Sequence, residues 1–280
     1  MAKILIIGCG SIGTQLAHNL AAKGHDVTGL KRNPPKLDIG EINYFTADIS
    51  LAYQLVELPL DFEFIYFIVS PDGRNKESYQ AIYEIGLTNL IDRFAKEGAS
   101  PNWIFVSSTS VYGQSEGEWV DEESIAQPDN ITSQYIRQAE QQLMDLNPQN
   151  IVVRFSGIYG PGREYLLRMA KQQSVIQKDP PYYTNRIHQQ DCIGVLIFLL
   201  EQSLAGVTLE QCYLASDDDP ATMWDVMSWL TEHLSCKPPE VKVNDKAVGM
   251  NKRCNNQRLK TLGYHFQYPD FKAGYLELIT

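Results

Sequence analysis

The stretch Gly8-Cys9-Gly10-Ser11-Ile12-Gly13 has the glycine spacing of a turn that seats a diphosphate. It directly follows the apolar run KILIIG and opens a segment in which Ile12, Leu16 and Leu20 recur four residues apart, so the glycines fall where a strand ends and a helix begins. In that place Gly8 permits the tight turn, Gly10 lets the backbone approach a pyrophosphate, and Gly13 lets the helix lie close to the strand. The N–H groups of Ser11, Ile12 and Gly13 then present the positive end of the helix dipole to the anion. The chemistry implied is binding of NAD or NADP; the alternative is a glycine turn without a ligand.

The second strand ends at Leu30, where an acidic residue would accept hydrogen bonds from the ribose hydroxyls of NAD. The chain continues instead with Lys31 and Arg32, two cations suited to the 2′-phosphate of NADP. NADP is therefore expected in preference to NAD, with a solvated basic loop as the alternative. Asp48, closing the third strand, is placed either to reach the adenine or to cap a helix.

The elements that must position these groups are legible as strands of apolar residues alternating with helix-period segments, the pattern of a parallel sheet with crossover helices. Strands are expected at 3 to 8, 26 to 30, 43 to 49, 62 to 69, 103 to 108 and 151 to 160, and helices from Ser11 to Lys23, from about Asn75 to Lys96, and from Thr132 to Leu146. Residues 164 to 186 read as irregular. The run DCIGVLIFLLEQ from 191 reads as an apolar helix that Asp191 caps, and residues 220 to 234 as another helix. The fold class is α/β: a doubly wound Rossmann sheet over residues 1–160 and a small C-terminal substrate lobe over 161–280, with about 191–216 returning to the first domain.

Bulk composition narrows the function classes. With 44% hydrophobic and 21% charged residues, the 280-residue chain is an ordinary globular protein. Its net charge of −10 disfavours nucleic acid as a partner, and no apolar run reaches the roughly 18 residues needed to span a bilayer. Cys9, Cys192, Cys212, Cys236 and Cys254 form no C-x-x-C pair, which points to free thiols in the cytoplasm and away from a metal site.

Five segments in order resemble the extended short-chain dehydrogenase/reductases, also called NAD-dependent epimerase/dehydratases, and among them the shorter atypical members: GCGSIG at 8–13, SSTSVYG at 107–113, RFSGIYGPG at 154–162, NRIHQQD at 185–191 and LKTLGYHFQYPDFKAG at 259–274. The resemblance implies a small polar, sugar-like substrate in a cleft between the Rossmann domain and the lobe. It places Ser108 as the group that polarises a substrate hydroxyl or carbonyl, with Thr109 and Ser110 beside the substrate. Val69, Ser70 and Pro71 would line the ribose and nicotinamide side. Arg154, Arg163 and Arg186 in the lobe segments suit an anionic group on the substrate, or are surface charges. Members often pair through the fourth and fifth helices, here near 75 to 96 and 132 to 146, which offers a homodimer and leaves the oligomeric state open.

In such enzymes a tyrosine exchanges the proton and a lysine four residues later lowers its pKa, because a phenol near pKa 10 is a poor base until positive charge stabilises its anion. Here TSQYIRQAE, with Glu140 as the register mark, puts Thr132 and Ile136 in those two positions. Tyr135 lies three residues from the tyrosine position, a turn of about 60° and a shift of about 4.5 Å along a helix. Arg137, two residues after Tyr135, points to another face. Tyr83 stands where an active-site Asn is common. A different loop length after Tyr112 would restore Tyr135 as the catalytic tyrosine, with Ala139 still in the lysine position; the alternative is that Tyr135 is a half-buried packing aromatic. Two functions follow: an NAD(P)-dependent oxidoreductase or epimerase that uses Ser108 as polariser and an unidentified or water-relayed acid, or a non-catalytic NADP-binding redox sensor.

Overall fold

The apolar runs become the strands of one parallel sheet. In the computed structural model, which describes residues 1–35, 42–242 and 249–279, these are β1 (Lys3–Ile7), β2 (Asp26–Lys31), β3 (Asn43–Thr46), β4 (Phe64–Phe67), β5 (Asn102–Ser108), β6 (Ile151–Phe155) and β7 (Cys212–Ala215). They lie in the order β7-β6-β5-β4-β1-β2-β3. Ile4 of β1 is flanked by Val27 of β2 on one side and Phe64 of β4 on the other. Strands β4 and β6 are buried throughout, which explains why β4 is a continuous apolar run and β6 is one interrupted only by the buried Arg154, with no alternation in either. The chain winds outward from β1 to β3 and then returns to the other side of β1 for β4. A ligand crevice opens at the carboxyl ends of strands where the winding reverses in this way.

Helix α1 (Ser11–Ala22) buries Ile12, Leu16 and Leu20, the face set by the four-residue period. The segment expected as one helix from Asn75 to Lys96 forms three joined pieces, α2 (Lys76–Tyr79), a π-helical stretch Gln80–Gly86, and α3 (Leu87–Lys96). Asn75 caps it by accepting the Ser78 N–H at 2.9 Å. The wide stretch carries Tyr83, whose ring packs on Phe67 and Phe105. A Cβ on Gly86 would meet the Ile49 side chain at 2.7 Å, so a larger residue there would force that side chain or the helix to shift.

Helix α4 (Ile131–Leu146) is capped by Asn130, which accepts the Ser133 N–H at 2.8 Å. Its inner face carries Tyr135, Ile136, Ala139, Glu140 and Leu143. Glu140 has no exposed surface; it accepts a hydrogen bond from the Ser107 hydroxyl of β5 and lies 3.5 Å from the Arg137 guanidinium. A carboxylate thus joins α4 to the sheet from within the core.

The chain forms two compact units. The first comprises residues 1–111, 128–153 and 196–212, and the second 112–127, 154–195 and 213–280. In the second, short strand pairs join distant segments: Gly157–Tyr159 with Arg186–His188, and Glu118–Val120 with Lys252–Cys254. Tyr159, Leu167, Ile176, Met227, Leu230, Phe271 and Tyr275 pack together as a core. Residues 164 to 186, expected to be irregular, hold a helix at Tyr165–Lys171 and short strands at Val175–Gln177 and Tyr183–Thr184. Elements of two to seven residues are too short to display a period.

Asp191 does not cap its helix, which begins at Gln189. Its carboxylate instead accepts the backbone N–H groups of Gln267 at 2.8 Å and Tyr268 at 2.9 Å and the Tyr264 hydroxyl at 3.0 Å. Three donors from the GYHFQYP segment outcompete the single N–H a cap would satisfy. Among the described residues no helix is long and apolar enough to cross a membrane.

Removal of the buried carboxylate should be costly, because Ser107 would lose its acceptor and Arg137 its ion-pair partner. Glu140→Ala is expected to lower unfolding free energy by about 3 kcal/mol, and Glu140→Gln by less, since an amide oxygen can still accept from Ser107. Urea denaturation measures both; an alanine variant as stable as the parent would contradict this role.

Candidate dinucleotide site

Two glycines of the first turn are demanded by the protein itself. Gly8 has φ +100°, and a Cβ there would lie 2.6 Å from the Ile68 carbonyl oxygen just beyond β4. A Cβ on Gly13 would overlap the Gly8 carbonyl. Gly10 differs: its φ is an ordinary −77°, and an added Cβ would meet nothing within 4 Å. Nothing within the fold requires a glycine at that point. No side chain caps the start of α1, and no acid lies in its first turn, so the positive end of the helix dipole faces outward beside Gly10.

In front of this turn lies a cavity of about 230 Å³ lined by Gly8, Gly10, Lys31, Arg32, Asp48, Val69 and Ser70. The structure therefore brings together seven of the residues singled out in the sequence. Ser11, Ile12 and Gly13 form the first turn of α1 behind them, Ser11 exposed and the other two buried. The walls between the polar groups are Ile7, Leu30, Ala47, Ile49, Ile68 and Ile82. Sequence reasoning passed over these. Ile7 and Leu30 are strand-end residues, and Ile68 directly follows β4, so the carboxyl-end rule was the signal that could have found them.

At the rim, Arg32 donates from Nη1 and Nη2 to the two carboxylate oxygens of Asp72, each at 2.6 Å. That bond raises the arginine's pKa and holds Asp72 below the usual carboxylate range. Asp48 accepts from the Ser50 N–H at 2.9 Å and the Ser50 hydroxyl at 2.7 Å, so it caps a turn while lining the cavity.

Ser108 ends β5 and accepts the Ser110 N–H at 3.1 Å. The Ser110 oxygen in turn accepts from the Ser133 hydroxyl at 2.9 Å, and Thr109 between them is buried. Tyr135 is buried on α4, as is Ile136 beside it, while Thr132 donates to Asn130 at 2.7 Å. Arg137 is engaged by Gln141 at 2.9 Å and by Glu140. Tyr83 donates to the Val69 carbonyl at 3.3 Å, and burial pushes its pKa far above the phenol range. It is a neutral donor against the cavity wall.

The second unit holds the expected arginines. Arg154 donates to the Tyr112 hydroxyl at 2.9 Å with its guanidinium over that ring, and Tyr112 donates to the Asp121 carbonyl at 2.7 Å. Arg186 donates from Nη2 to the Thr184 hydroxyl and lies over the Phe271 ring. Its Nη1 atom, both oxygens of Asp217 and the Tyr159 hydroxyl are buried and form no hydrogen bond among the described residues. The Asp219 N–H is near enough to favour the Asp217 anion but is outside hydrogen-bond geometry.

Burial drives the Asp217 pKa well up against the opposing pull of Arg186, and raises Tyr275 to about 12. His188, edge-on to Tyr159 and tilted against Tyr268, has its pKa lowered by burial, which favours the neutral imidazole. No group of three or more His, Cys, Asp or Glu suited to a metal occurs among the described residues.

A parallel sheet that reverses its winding beside a glycine turn and an uncapped helix defines a Rossmann-type dinucleotide-binding protein. The chain belongs to the NAD dependent epimerase/dehydratase family, whose model matches residues 4–202. It is 28% identical to Protein YeeZ of Escherichia coli strain K12 over 286 residues, covering 96% of this chain and 97% of that one. A solved Methylobacillus flagellatus structure, described as an NAD-dependent epimerase/dehydratase, is 33% identical with a TM-score of 0.84, covering 99% of this chain and 97% of that one. The dTDP-glucose 4,6-dehydratase of Bacillus anthracis, solved with NAD, has a TM-score of 0.79 at 16% identity, covering 100% of this chain and 96% of that one. At that identity the likeness is one of fold.

The glycines give a test that separates folding from binding. Gly10→Ala is expected to change unfolding free energy by less than about 1 kcal/mol while weakening nucleotide binding by about 1–3 kcal/mol; unchanged binding by calorimetry would place the diphosphate elsewhere. Asp217 gives a pH test. Its native pKa is raised above an unfolded value of about 3.9, so the parent loses stability as pH rises from about 4 toward that native value. Asp217→Asn lacks this loss, and its stability relative to the parent should increase from pH 4 to pH 7 in parallel thermal melts.

Proposed function

We propose that the protein is an NAD(P)-dependent oxidoreductase or epimerase-type enzyme acting on a small polar, sugar-like substrate, with NADP preferred over NAD. The observation that carries this reading is Gly10: open space in front of its Cα, beside an uncapped helix start, in a cavity that Lys31 and Arg32 also line. The diphosphate is held by the N–H groups at the start of α1. The adenine lies between the apolar walls near Asp48, and the 2′-phosphate is taken by Lys31 and Arg32. When bound, the nicotinamide supplies a hydride acceptor or donor.

Ser108 polarises the substrate oxygen. Proton exchange is assigned to a water relay and not to a tyrosine–lysine pair, because Thr132 and Ile136 occupy those positions and Arg137 is engaged by Glu140 and Gln141. Of the lobe arginines, Arg186 is the better candidate for an anionic substrate group, since Arg154 is already committed to Tyr112. The loss of the usual pair also supports the second reading, a redox sensor that binds NADP without turnover.

A substrate screen followed by NADPH absorbance separates the two. With an active substrate, Ser108→Ala should lower kcat by about a hundredfold or more, whereas Tyr135→Phe should leave it within about a factor of three. A large loss on Tyr135→Phe would assign the proton to that phenol. Silence across the screen together with tight NADP binding would favour the sensor.

A further inference from the structure

Arg32, the residue that suits a 2′-phosphate, already has an anionic partner. The end of its guanidinium fork is filled by both carboxylate oxygens of Asp72, each at 2.6 Å. The pair sits at the surface, with the Arg32 and Asp72 side chains 50% and 69% exposed, so it is open to competition from an incoming ligand. Asp72 lies two residues beyond Ser70, a residue of the cavity wall, on the loop that follows β4. Asp48, also of the wall, adds a second negative charge that acts on the same guanidinium.

We propose that Asp72 sets the discrimination between NADP and NAD by competing with the 2′-phosphate for Arg32. The inference rests on the reading of this cavity as the cofactor site. A phosphate monoester brings close to two negative charges at neutral pH. To bind Arg32 end-on it must displace Asp72; to bind at the Nε edge it must sit beside an unreleased carboxylate. Both routes cost NADP affinity. The ribose hydroxyl of NAD is uncharged and meets neither penalty, and carboxylates near it are hydrogen-bond acceptors. Lys31 and Arg32 alone would give a strong NADP preference; with Asp72 the chain accepts both nucleotides with a reduced one.

Calorimetric titration of NADP and NAD into the parent, Asp72→Asn, Arg32→Gln and the double variant tests this without turnover. Asparagine keeps the side-chain shape and removes the charge. Asp72→Asn should raise NADP affinity roughly three- to tenfold and leave NAD within about twofold. The gain should shrink with added salt and disappear in the Arg32→Gln background. An unchanged NADP-to-NAD ratio, an equal rise for both nucleotides, or a gain that persists without Arg32 would overturn the proposal while leaving the cofactor site intact. If the parent binds neither nucleotide, the site assignment and the proposal fall together.

Discussion

The first unit depends on one close contact: the start of α1 lies against the turn leaving β1, with Gly13 on the Gly8 carbonyl and Gly8 on the main chain beyond β4. Neither approach tolerates a side chain, so both positions are fixed by sterics before any ligand is considered. The result is a helix whose N–H groups point across the carboxyl ends of β1 and β4, where the sheet reverses its winding. Every other group in the candidate site is placed relative to that axis. Lys31 and Arg32 follow from the end of β2, Asp48 from the end of β3, and Val69 and Ser70 from the end of β4.

Charge at the rim is balanced, not simply basic. The Arg32–Asp72 pair and the neighbouring Asp48 offer a cation to a phosphate and acceptors to hydroxyls within one small region. Exposed ion pairs contribute little to folding, since water screens them and ordering two side chains has an entropic cost. The pair therefore adds little to how firmly the loop is held.

The second unit solves a different problem. Its short strands and helices bury Arg186, Asp217, Tyr159 and His188 among aromatic rings, and a dry surrounding favours neutral forms wherever a proton can be gained or lost. Burial shifts the Asp217 pKa up and the His188 pKa down, each toward its neutral form, while the guanidinium of Arg186 stays charged. Asp191, by contrast, is fully occupied in holding the Tyr264–Tyr268 segment.

Much of this was legible in the chain itself. Strand-length apolar runs, the four-residue period of Ile12, Leu16 and Leu20, and the placement of GCGSIG between them determine the Rossmann sheet and its phosphate turn, because these signals act over neighbouring residues and need no distant partner. The missing tyrosine and lysine were also visible, as Thr132 and Ile136 in a register marked by Glu140. Only the tertiary structure decided that Arg32 has Asp72 as its counter-ion forty residues away, that Asp191 clamps a distant segment where a helix cap was expected, and that Arg186 and Asp217 share a dry surrounding. Those outcomes depend on which remote donors and acceptors arrive within about 3 Å, and a linear sequence carries no information about such distances until the chain has packed.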